Sequence, residues 1–225
     1  MPLRFSILSA LLVFAIGGTA AQAPNPRDVK MVGDRFRPLT WDEMTPPQRA
    51  MIEHLLAGER GTTSGPFNVF LRSPEMGDIA QQLGAQIRFH SSLPRRLNEM
   101  AILIVARHMT AQYEWYAHKR LALQAGLKQD IVDAIAAGRR PAGLQADEQA
   151  LYTFESELLD RHEVGDATFK TAVAAFGERG VVDLINLMGY YHLVSMALNV
   201  DRYPLPDGAK PELLPVTRAG TPERR

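Results

Sequence analysis

Glu114 and His118 stand four residues apart in the run Gln112–His118, and Glu99 lies one helical segment earlier in Arg-Arg-Leu-Asn-Glu-Met-Ala-Ile-Leu. Four residues is about one helical turn, so Glu114 and His118 share a helix face. A carboxylate beside an imidazole is the minimal apparatus for moving a proton near neutral pH. If the three meet in a partly apolar pocket, neighbouring carboxylates raise the imidazole pKa while burial lowers it, and such opposing pressures can give an acid and a base in one site. The plainer alternative is an exposed i,i+4 pair, with Glu99 on the surface beside Arg95 or Arg96. Glu99 argues against it, because it adjoins the most apolar run of the chain. The candidate catalytic residues are therefore Glu99, Glu114 and His118. Tyr113, Trp115, Tyr191 and His192 are candidates for binding substrate, although aromatic residues at helical spacing also serve as ordinary core.

The chain has no cysteine, so any proton-transfer chemistry works without a thiol. It has no His-Glu-x-x-His, Gly-x-Gly-x-x-Gly, Walker or Gly-x-Ser-x-Gly motif, and no metal or cofactor is expected. Lys plus Arg equals Asp plus Glu, 25 each, which gives no electrostatic footprint for nucleic acid or an anionic membrane.

The elements that must position these residues are helices. Thr45-Pro46-Pro47 has the form of a helix start, with Met51, Ile52, Leu55 and Leu56 on its apolar face and Gly58 as its stop. Ser73-Pro74-Glu75 opens another, for which the pattern predicts a buried stripe of Met76, Ile79, Leu83 and Ile87. Pro94 to about Thr110 is apolar on more than one face, as a central helix is. Gln112 to about Gly126, Lys128 to Ala137, and Ala146 to about His162 follow. Another helix is expected to start at Gly165-Asp166, capped by Asp166, and the last to run from Gly180 to about Val200. No stretch alternates as a strand does, so the fold is expected to be all-α with roughly eight helices. Residues 1–23 read as a cleavable export signal: Arg4, a short apolar run, then small residues. An extended arm is expected over 24–44, the helical domain over 45–203, and an irregular tail over 204–225. Both arms suit wrapping a neighbouring subunit. The expected setting is periplasmic or secreted, with no membrane contact after signal cleavage.

At Arg96–Arg107, Tyr113–His118 and Gly189–Val194 the chain resembles the carboxymuconolactone decarboxylase family, which includes alkylhydroperoxidase D. The resemblance spans roughly Leu71 to Pro204. It implies an all-helical, alkylhydroperoxidase D-like fold assembling as trimers or hexamers. In the peroxidase branch a Glu and a His assist a Cys-x-x-Cys pair. Glu99 and His118 match the Glu and the His, while the cysteine positions fall on Ala111 and Glu114. Thiol peroxidase chemistry therefore has no support, since it needs a thiolate and a resolving partner. The resemblance then implies decarboxylase-like, cofactor-free lyase chemistry on a small unsaturated carboxylic acid or lactone. An isomerase or hydratase on a similar substrate, or a non-catalytic helical oligomer that binds a small molecule, remains open.

Overall fold

A computed structural model describes residues 25–215; the expected signal segment lies outside them, as does the end of the tail. Among the described residues the fold is all-helical: α1 (Pro46–Ala57), α2 (Phe67–Phe70), α3 (Pro74–Phe89), α4 (Arg95–His108), α5 (Gln112–Gln124), α6 (Gln129–Ala136), α7 (Ala146–Arg161) and α8 (Asp166–Asp201), with 3-10 turns at Pro26–Asp28 and Trp41–Glu43. α1 begins as its sequence predicts. Pro46 and Pro47 occupy positions whose N–H would lack a partner, and the Thr45 N–H donates to Gln48 Oε1 at 2.8 Å.

α4 is the axis of the larger core. Its residues Leu97 and Met100 to Ala106 are buried, and it packs on α5, α6, α7 and α8. Arg96 ties it to α7 by pairing with Glu148 and, at 2.7 Å, with Asp147. The chain turns from α4 into α5 through Thr110, whose φ of 50° is costly for a β-branched residue. The adjoining Ala111 is fully buried, and Asn199 of α8 donates to the Met109 carbonyl at 2.9 Å. These contacts fix the corner that sets α5 against α4.

The α3 stripe is not the one the pattern predicts. Ile87 is buried, but Met76, Ile79 and Leu83 are exposed, and α3 turns Gly77, Gln81 and Gly84 inward instead. Close approach decides the rotation. A Cβ on Gly77 would collide with Phe70, and one on Gly84 with Tyr190, so the glycine face is the one that can sit against the body. α8 also departs from expectation. Gly165, not Asp166, is its N-cap residue, and the two expected helices form one element broken at Gly177 (φ 68°). By length and composition α8 could cross a membrane, but half of its most apolar window is buried within this fold.

The arms lie on their own chain. Met31 and Met44 join a second core with α1 and α2. Asp201 accepts the N–H groups of Asp34 (3.2 Å) and Phe36 (2.8 Å), clasping the N-terminal arm to the end of α8. The tail returns along α4 and α5, where Gln112 Nε2 donates to the Leu213 carbonyl and Arg107 to that of Leu214, both at 2.7 Å.

Candidate active site

α4 and α5 bring Glu99, Glu114 and His118 together. His118 Nδ1 lies 2.7 Å from Glu99 Oε2, and Nε2 lies 3.0 Å from Glu114 Oε1. Residue exposure is 5% for Glu99 and 4% each for Glu114 and His118. The exposed-pair alternative therefore fails on burial. Ionised carboxylates only accept hydrogen bonds, so an imidazolium with N–H on both nitrogens satisfies both. Burial alone would lower the His118 pKa. The charge and hydrogen bond of Glu114, joined by those of Glu99, outweigh it, and the net displacement is upward. Arg95 Nε stands 4.0 Å from Glu99 Oε1 at the solvent edge of the group.

Glu114 and His118 face a cavity of about 380 Å³, where Tyr113, Tyr190 and Tyr191 form much of the wall. The Tyr191 ring meets that of His118 edge-on, with centroids 5.2 Å apart. Burial, then the Glu114 charge, pushes the Tyr191 hydroxyl well above its ordinary pKa, and burial also raises that of Tyr190. Both hydroxyls thus stay protonated as potential donors. Tyr113, raised by burial and by Tyr203, packs on the Tyr203 ring at 4.3 Å. Glu99 opens on a second cavity of about 370 Å³ between α3 and α4.

Two sequence candidates lie elsewhere. Trp115 is in the core outside the cavity lining, its indole N–H 3.4 Å from Glu212 of the tail. His192 points along α8, where its Nδ1–H donates to the Met188 carbonyl at 2.8 Å, and its ring meets His108 rather than the cavity. Conversely, Arg60 and Arg88 line the cavity and carry no signal in the sequence pattern. Arg60 follows α1 in a loop and Arg88 sits on α3, so no local spacing links them to α5. Tyr190 also lines the cavity, beside Tyr191 in the Gly-Tyr-Tyr-His segment.

Residues 74–154 match the model of the carboxymuconolactone decarboxylase family. The matched stretch runs over α3 to α6 and the first part of α7, with Glu99, Tyr113, Glu114, Trp115 and His118 inside it and Tyr191 and His192 beyond it. No curated protein sequence matches the chain.

Proposed function

We propose that this carboxymuconolactone decarboxylase family segment makes the chain a proton-transfer enzyme, a decarboxylase-like lyase acting on a small unsaturated carboxylic acid or lactone. The observation that carries the reading is His118, held between two buried carboxylates at the wall of a cavity of small-molecule size. In the reaction, the bond from carbon to the leaving carboxylate breaks and CO2 departs. The electron pair it leaves is delocalised into a conjugated carbonyl, and a proton is then delivered to carbon. Tyrosine hydroxyls that stay protonated suit the developing enolate oxygen. His118 is the acid that supplies the proton. Both of its nitrogens are engaged, so the shortest route to the cavity runs from Nε2 through the Glu114 carboxyl. Glu99 holds the other nitrogen and keeps the ring charged. An isomerase or hydratase would use the same residues without the loss of CO2.

The working form in this proposal is a homotrimer or homohexamer in the periplasm or outside the cell. Support for assembly comes from α3 and α8. Met76, Ile79 and Leu83 are exposed on α3, and the exposed positions of α8 from Val182 to Val200 carry no charge. Support for export is the apolar N-terminal run in the sequence. The test of the reaction is a panel of unsaturated acids and lactones incubated with wild type and with His118→Ala, with CO2 release and product formation followed by NMR. Turnover that disappears with His118→Ala supports the reading. Turnover that survives the substitution contradicts it.

A further inference from the structure

The cavity has a cationic side as well as a catalytic one. Arg60 and Arg88 both line it, and among the described residues neither pairs with a carboxylate. The Arg60 guanidinium lies 5.1 Å from the centre of the Phe67 ring, and its Nε and Nη2 are buried with no hydrogen-bond partner. Those two nitrogens form the edge of a guanidinium that grips a carboxylate with two parallel hydrogen bonds. Leaving them unpaired in the interior is costly, so the arrangement lacks a partner. Gly84 makes the room. A Cβ there would stand 2.8 Å from Arg60 Nη2 and would overlap the Tyr190 hydroxyl, so both groups gather over the same bare point of α3. No hydrogen bond from Nε or Nη2 holds the guanidinium in its present orientation. Arg88 lines this cavity and the one beside Glu99. The Glu114 charge raises the pKa of the Tyr190 and Tyr191 hydroxyls and the Arg60 and Arg88 charges lower it, so both tyrosines lie within reach of the two kinds of charge.

We infer that Arg60 and Arg88 are the carboxylate anchor of this cavity, holding an anionic group of the ligand while its unsaturated carbons lie against Glu114 and His118. The inference rests on the proton-transfer reading only for which end of the ligand meets His118. It also adds a constraint. Pairing with a guanidinium stabilises a carboxylate and opposes its loss as CO2. The anchored carboxylate is therefore one the product keeps. A substrate for decarboxylation must carry a second acid group, whereas an isomerisation substrate needs only the anchored one.

The experiment is calorimetric titration with hexa-2,4-dienedioate, its monomethyl ester and its dimethyl ester, which present two, one and no carboxylates on one skeleton. Wild type, Arg60→Gln, Arg88→Gln and His118→Ala are compared, with a thermal melt of each to establish folding. Wild type should bind the diacid and the half-ester more tightly than the diester. Each arginine variant should lose roughly tenfold to a hundredfold in affinity for the acids and little for the diester, the range expected for hydrogen bonds to a charged group. His118→Ala should keep the preference for acids. No acid-over-ester difference in wild type, or a preference that persists in both arginine variants, overturns the anchor. A preference that vanishes only in His118→Ala places the anion on the imidazolium and also overturns it. Arginine-dependent acid binding without turnover of any acid leaves the anchor standing and removes the proton-transfer reading instead.

Discussion

Replacing His118 with alanine should be expensive for folding as well as for chemistry. The substitution leaves Glu99 and Glu114 buried without the cation that lies 2.7 Å from one and 3.0 Å from the other. Removing one member of a buried, hydrogen-bonded ion pair costs roughly 3–5 kcal/mol, because an uncompensated charge stays behind. An exposed i,i+4 pair would cost only about 0.3–0.5 kcal/mol. With a urea dependence near 3 kcal/mol per molar, the larger figure moves the unfolding midpoint down by about 1–1.7 M. Both proteins must be compared at one concentration, since assembly adds to apparent stability. The pH dependence has a definite sign. The folded-state pKa of His118 is raised, so its contribution is fully present below the unfolded value of about 6.5 and fades as pH climbs through the folded value. The penalty of the substitution should therefore be at least as large at about pH 5 as at about pH 7, and should shrink as pH climbs further. A midpoint shift of only about 0.1–0.2 M at pH 7 would refute the buried-triad account, since that is the size an exposed pair predicts.

Glu155 on α7 is fully buried with both carboxyl oxygens unpartnered, and burial raises its pKa well above the ordinary value. Its cost to stability grows as pH rises above the unfolded value of about 4.3, so Glu155→Gln should stabilise the fold at neutral pH by up to about 3–4 kcal/mol and flatten the pH dependence of unfolding. An unchanged urea midpoint would count against that. Asp201→Ala should free the N-terminal arm by removing the acceptor for the Asp34 and Phe36 N–H groups, at about 1–3 kcal/mol, and limited proteolysis should then cut within residues 25–40. Ile185→Glu combined with Met196→Glu puts two charges on the uncharged face of α8 and should lower the mass found by light scattering to that of a smaller species. A wild type that is already monomeric at micromolar concentration would show that the face has no such partner.

The parts of the fold legible in the sequence are those set by local chemistry. The cap and prolines of α1 and the all-round apolar run of α4 are visible in the residue order, because a single helix determines them. The convergence of Glu99 with His118 was legible as an expectation from two consecutive helices, and the corner at Thr110 delivers it. The rotation of α3 was not legible. Its apolar residues point outward because two glycines on the opposite face permit a closer approach than any side chain would. The cationic side of the cavity was hidden for a similar reason: Arg88 on α3 and Arg60 in the loop after α1 reach it from separate segments, and only tertiary packing brings them to the tyrosines of α8. Trp115 and His192 carried the right chemistry on the wrong faces of their helices, facing the tail and His108.

The central claim is that His118, charged by its two carboxylates, supplies the proton. Its most direct test is the pH–rate profile of whichever unsaturated acid or lactone is turned over, measured for wild type, His118→Ala and Glu114→Gln. The account predicts that His118→Ala lowers turnover by about two to four orders of magnitude with little change in substrate affinity. It also predicts that the wild-type rate falls as pH rises through the raised His118 pKa, and that residual activity of Glu114→Gln falls off at lower pH, because the ring loses a charge that favours its protonated form. Wild-type turnover in His118→Ala, or an unmoved alkaline limb in Glu114→Gln, would contradict the account.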